Sequence, residues 1–138
     1  MVEFQIIMQR IGTCHSFSEI EAQDFAPPEQ WAESIAKNQL GKDMKTTQLR
    51  KVFTSIKQME LKAKGKKDDE AFNDPSLYMM LPHLAYAKAR GFIKQGFYSL
   101  IKTVIGDGNN SKIRSVGDFK RFAEFMTAIV AYHKQYSK

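Results

Sequence analysis

The run SVGDFKRFAEFMTAIVAYHKQ, residues 115–135, constrains this chain more than any other stretch. Val116, Phe119, Phe122, Ala123, Met126, Ile129, Val130 and His133 recur at steps of three and four, the spacing of one helix face. Phe125, Ala128 and Tyr132 form a second apolar row beside the first, so the apolar arc is wider than the stripe of an ordinary surface helix. Ser115 or Asp118 is placed to cap the start by accepting from unpaired backbone amides. A helix of this kind needs neighbours on two sides. Most of these residues are expected in the core of an all-helical domain, and part of the second row is expected to meet another subunit.

Upstream, the same periodicity recurs. Leu49, Val52, Phe53, Ile56, Met59 and Ala63 share one arc of a helix from about Gln48 to Lys64, with Thr46 or Thr47 as its cap. Asn73 or Asp74 before Pro75 marks the start of a helix burying Leu77, Met80, Leu81, Leu84 and Ala85, which Pro82 is expected to kink or split. Phe97, Leu100, Ile101, Val104 and Ile105 give a further amphipathic helix. Before residue 41, a short helical pattern from Ser16 or Ser18 reaches Phe25 and stops at Ala26-Pro27-Pro28. A second starts at Pro28 with Trp31, Ile35 and Leu40 on one face. Residues 1–15 mix β-branched and long apolar residues and predict a short strand or a loosely attached arm. The fold class is all-α, a single small bundle of five or six helices with a long C-terminal core helix.

One domain is expected from 138 residues, with residues 1–40 as an acidic helical extension and 41–138 as a basic helical-bundle domain, packed together. The net charge of +6 is unevenly placed. Residues 1–40 carry a net of −4, residues 41–67 a net of +7, and residues 68–138 a net of +3. A block as basic as 41–67 is a candidate polyanion surface or a solvated lysine-rich helix. Lys64 to Lys67 runs into Asp68, Asp69 and Glu70, which predicts a charged, mobile loop. The apolar runs are too short to span a bilayer, and the N-terminus lacks the pattern of a signal peptide. Cys14 is the single cysteine, which fits a reducing cytoplasm.

Catalytic chemistry finds little to work with. His15 and Glu19 share a helical spacing but lack a second nitrogen ligand, and Cys14 next to His15 cannot give triad geometry. Asp107, Asn109, Ser111 and Asp118 echo a calcium loop, but Lys112 stands where the sharp turn needs glycine. Gly106-Asp107-Gly108 lacks the third glycine and the strand of a phosphate loop. No catalytic residue, metal site or cofactor is assigned.

Three segments carry a resemblance: KTTQLRK at 45–51, LAYAKARG at 84–91 and DFKRFAEFMTAIVAYHK at 118–134. Together they resemble the small subunit of the type III-A (Csm) CRISPR effector complex. The resemblance implies a non-catalytic, all-helical subunit of an antiviral ribonucleoprotein, with copies stacked along guide RNA paired to target RNA. Its partners would be both RNAs, other subunits of the complex and further copies of itself, as a dimer or a stack. Carried onto this chain, the RNA-facing positions would be Lys45, Gln48, Arg50 and Lys51, then Lys88 and Arg90, then Lys120 and Arg121. Lys57 joins them as a cation flanking the apolar arc of its own helix. Cations spread along helices suit contact with phosphates rather than with base edges. The alternative is a protein–protein adaptor that uses the wide C-terminal apolar face and touches no nucleic acid.

Overall fold

Residues 1–40, 44, 46–107 and 109–136 are described in a computed structural model. The long C-terminal helix does organise the chain. Seven α-helices occur among the described residues: α1 (Phe4–Thr13), α2 (Ala22–Phe25), α3 (Trp31–Ile35), α4 (Thr46–Ala63), α5 (Ser76–Ala89), α6 (Gln95–Ile105) and α7 (Val116–Tyr136). A 3₁₀ turn covers Phe17–Glu19, and a π-helical turn, Ala36–Leu40, continues α3. The only β pairing among the described residues is an isolated bridge between Ala71 and Ser115.

The first fifteen residues differ from the expectation of a strand or an arm. They form α1, because Phe4, Ile7, Met8 and Ile11 follow helical spacing, with Ile7 and Ile11 fully buried. This face packs against α6 and α3. Exposed Ile6 interrupts the pattern and hides the period. Lys112 then fastens the end of α1: its Nζ donates to the carbonyls of Gly12 (3.1 Å) and Cys14 (2.7 Å), groups a helix end leaves without a backbone partner.

α7 runs through the middle of the bundle, against α2, α3, α4 and both the 3₁₀ and π turns. Its second apolar row is covered from within the chain. Phe125 meets Phe17 (5.5 Å between ring centroids) and Phe25 (5.2 Å), and Phe17 also stands edge-on to Phe122. The Tyr132 hydroxyl donates to the Ala26 carbonyl at 2.6 Å. The face expected to meet another subunit therefore holds the N-terminal forty residues instead. An adaptor reading based on that face loses its surface.

The start of α7 is capped reciprocally. The Asp118 amide donates to Ser115 Oγ (3.1 Å), and the Ser115 amide donates to Asp118 Oδ2 (3.2 Å). Asp118, only 3% exposed, also accepts from the amides of Arg114 and Ser18, both at 3.1 Å, so one carboxylate ties α7 to the 3₁₀ turn. Burial alone would raise its pKa. The donors from Ser18, Arg114 and Ser115 outweigh burial and hold it below the usual carboxylate value. The folded state therefore binds fewer protons at this group than the unfolded state. Its stabilisation is present above about pH 4, the unfolded value, and is lost as pH falls through the lower folded value. Asp118→Asn should destabilise the protein near neutral pH, by about 1–3 kcal/mol. It should also weaken the loss of stability in acid, as urea titrations from neutral pH into acid would show; an unchanged acid limb would contradict this role.

Two further expectations change. Pro82 does not split α5, which is one helix from Ser76 to Ala89, with its first turn held by the Ser76 amide donating to Asp74 Oδ1 at 3.0 Å. The acidic loop after α4 is hydrogen-bonded to the start of α7 rather than hanging free. The amides of Val116 and Gly117 donate to the carbonyls of Glu70 and Asp68, and the Phe72 amide donates to the Arg114 carbonyl. Phe72 stacks on Phe119 at 4.3 Å, closing this corner. α6 buries all five residues expected from its spacing. It ends at Gly106, whose φ of +66° and close approach to Ser111 leave no room for a Cβ. Gly41, the expected stop of the helix before α4, lies outside the described residues.

Candidate nucleic-acid interface

The helix α4 lies between α5 and α7, so its polar residues divide between two grooves. Toward α7, Lys57, Lys64, Lys120 and Arg121 line a groove of about 730 Å³ together with Glu60, Asp68 and Glu124. Arg50 precedes Lys57 by seven residues, which is two helical turns, and Lys64 follows Lys57 by the same interval. Arg50 and Lys57 therefore keep to one side of α4, about 10 Å apart at about 1.5 Å per residue, and Lys64 lies in the turn just after its end.

Each cation in this groove has a different freedom. Lys57 pairs with Glu60 at 3.1 Å, one turn on, and its ammonium lies 5.0 Å from the Phe53 ring. Lys120 pairs with Asp68 at 2.9 Å, and both groups are exposed enough for solvent to weaken the pair. Phosphate can compete for either lysine. Arg121 is already used: it donates to the carbonyls of Ser18 and Ile20 and pairs with Glu124 at 3.1 Å. It acts as a clamp between α7 and the 3₁₀ turn. Arg50 is exposed.

Gln48, Lys51, Lys88 and Arg90 do not line this groove. Gln48 and Lys51 face the second groove, between α4 and α5. Lys88 lies over the Tyr98 ring at 4.5 Å. Arg90 donates to the Tyr86 hydroxyl at 2.8 Å, with its guanidinium 5.4 Å from the Phe92 ring. Lys45 lies outside the described residues. Lys64, absent from the candidates, is brought into the α4–α7 groove; the seven-residue interval from Lys57 was the available signal. Of the residues that echoed a calcium loop, Asp118 caps α7 and the Ser111 hydroxyl bonds the backbone of Ile113.

Among the described residues no helix is long and apolar enough to cross a membrane. No curated protein and no solved structure matches the chain significantly. The family model described as Csm2 Type III-A matches residues 23–138. That match starts inside the acidic N-terminal part, at Gln23, and takes in all three segments that carried the resemblance as well as every helix from α3 onward. With a match of this extent on an all-helical fold, the chain belongs to the Csm2 Type III-A family and is a small subunit of a type III-A CRISPR complex.

Proposed function

We propose that this chain holds the RNA of its effector complex by the phosphate backbone, through the side of α4 that faces α7. The observation that carries the reading is Lys57, Lys64 and Lys120 lining one groove, with exposed Arg50 two helical turns before Lys57 extending it along α4. A row of cations along a helix can follow a strand of phosphates, and nothing in such contacts reads base identity. Sequence would then be read by pairing between guide and target, with the protein responding to backbone and shape. The carboxylates in the same groove, Glu60 and Asp68, pair with Lys57 and Lys120 when RNA is absent and yield to phosphate when it is present.

In this reading the chain binds and positions, and the catalytic steps of the complex belong to other subunits. Further copies of this chain, other protein subunits, and guide and target RNA are its partners, in the cytoplasm. The single buried cysteine fits that compartment. The test is a salt series on the assembled complex with two RNAs of unrelated sequence. Arg50→Ala, Lys57→Ala and Lys64→Ala should each lower the slope of log affinity against log salt by about one unit. The loss should be similar for both RNAs. Slopes equal to the parent's would contradict the reading.

A further inference from the structure

We infer that the groove between α4 and α5 is a docking site for an acidic amphipathic helix of another protein subunit. This surface is separate from the α4–α7 face and stands or falls independently of the RNA reading. The groove encloses about 690 Å³. Its floor is Val52, Met59, Met80, Leu84 and Ile93, all buried. Met79 and Tyr86 rise from its wall and remain 54% and 62% exposed. On α4 the lining recurs from Gln48 to Lys62, a length of about 21 Å at about 1.5 Å per residue, which is about four turns of a second helix.

The charge of the rim selects the occupant. Lys51, Lys62 and His83 line the groove, and among the described residues no carboxylate does; Asp74 lies 3.8 Å from Lys62 at one end. An apolar helix face flanked by Asp and Glu would place its side chains among the methionines and its carboxylates beside Lys51 and Lys62. Unbranched thioethers adapt to such a face. RNA suits the groove less well, since its floor is apolar and the cations at the end of α5 are engaged elsewhere, Lys88 over Tyr98 and Arg90 on Tyr86 and Phe92. Gln48, Ser55 and Gln58 along α4 supply donors for a polar edge.

The test places the photo-crosslinker p-benzoylphenylalanine at position 79, and separately at position 86, in the chain within the assembled effector complex. Crosslinked peptides are then mapped by mass spectrometry. The expected result is crosslinking to a helix of a different protein subunit, with Asp or Glu flanking its apolar face. Lys51→Glu should reduce the crosslinking yield at least severalfold while circular dichroism shows the fold intact. Crosslinks to RNA, crosslinks to a second copy of this chain, no crosslinks at either position, or a yield indifferent to Lys51→Glu would each overturn the inference.

Discussion

Replacing Phe125 with alanine is expected to lower the unfolding free energy by about 4 kcal/mol, near the top of the range for single core changes. The size follows from its position. Phe125 is fully buried and touches Phe17 on the 3₁₀ turn and Phe25 at the end of α2, so it joins the central helix to the N-terminal segment. Removing the ring opens a cavity between elements already fixed from other directions, by Asp118 accepting from Ser18 and by Arg121 clamping the same turn. Little collapse is available to fill it. For a chain of this size the melting temperature should fall by roughly 15 °C. Tyr132→Phe removes only the hydrogen bond to Ala26 and should cost about 1 kcal/mol. A thermal scan giving the two variants the same small shift would mean that the N-terminal forty residues do not cover α7.

That contact also explains what was legible in the sequence. The arcs of α4, α6 and α7 could be read because each helix buries a continuous stripe, and the period survives whatever the partner is. All five residues read for α6 are buried. The partner of the second row on α7 was not legible. An apolar row looks the same whether another subunit or the chain's own Phe17 and Phe25 covers it. α1 was hidden for a related reason: Ile6 sits among the spaced residues Phe4, Ile7, Met8 and Ile11 but faces solvent, and so blurs the period. The loop after α4 looked mobile because its charge is local, whereas its hydrogen bonds to residues 114–117 are distant in sequence.

Site residues were harder still, because charge in a sequence does not say which way a side chain is already committed. Arg50 and Lys51 are neighbours in the chain, yet only Lys51 lines the groove with α5. Arg121 reads as a surface cation until the carbonyls of Ser18 and Ile20 are seen beneath it. Lys64 lies in the turn just past α4 and meets Lys57 at the same groove.

The second large effect is expected from the combined change Arg50→Glu, Lys57→Glu and Lys64→Glu. All three side chains are exposed, so stability should change by only about 0.5 kcal/mol per site. Loss of the Lys57–Glu60 pair adds little, since exposed pairs one turn apart contribute only tenths of a kcal/mol. RNA binding should respond differently. Three phosphate contacts removed lower the slope of log affinity against log salt by about two to three units for each copy that touches RNA. Between about 50 and about 200 mM salt, a parent with those contacts then loses about thirtyfold more affinity than the variant does. Lys102→Glu, an exposed cation on α6 that lines neither groove, is the control and should leave the slope unchanged. The most direct test of the account is therefore this salt slope, measured for the parent, the triple variant and the control in the assembled complex. The account predicts a slope shallower by two or more units for the triple variant alone, and to the same extent on unrelated RNA sequences. A triple variant that kept its fold and the parent slope would contradict it.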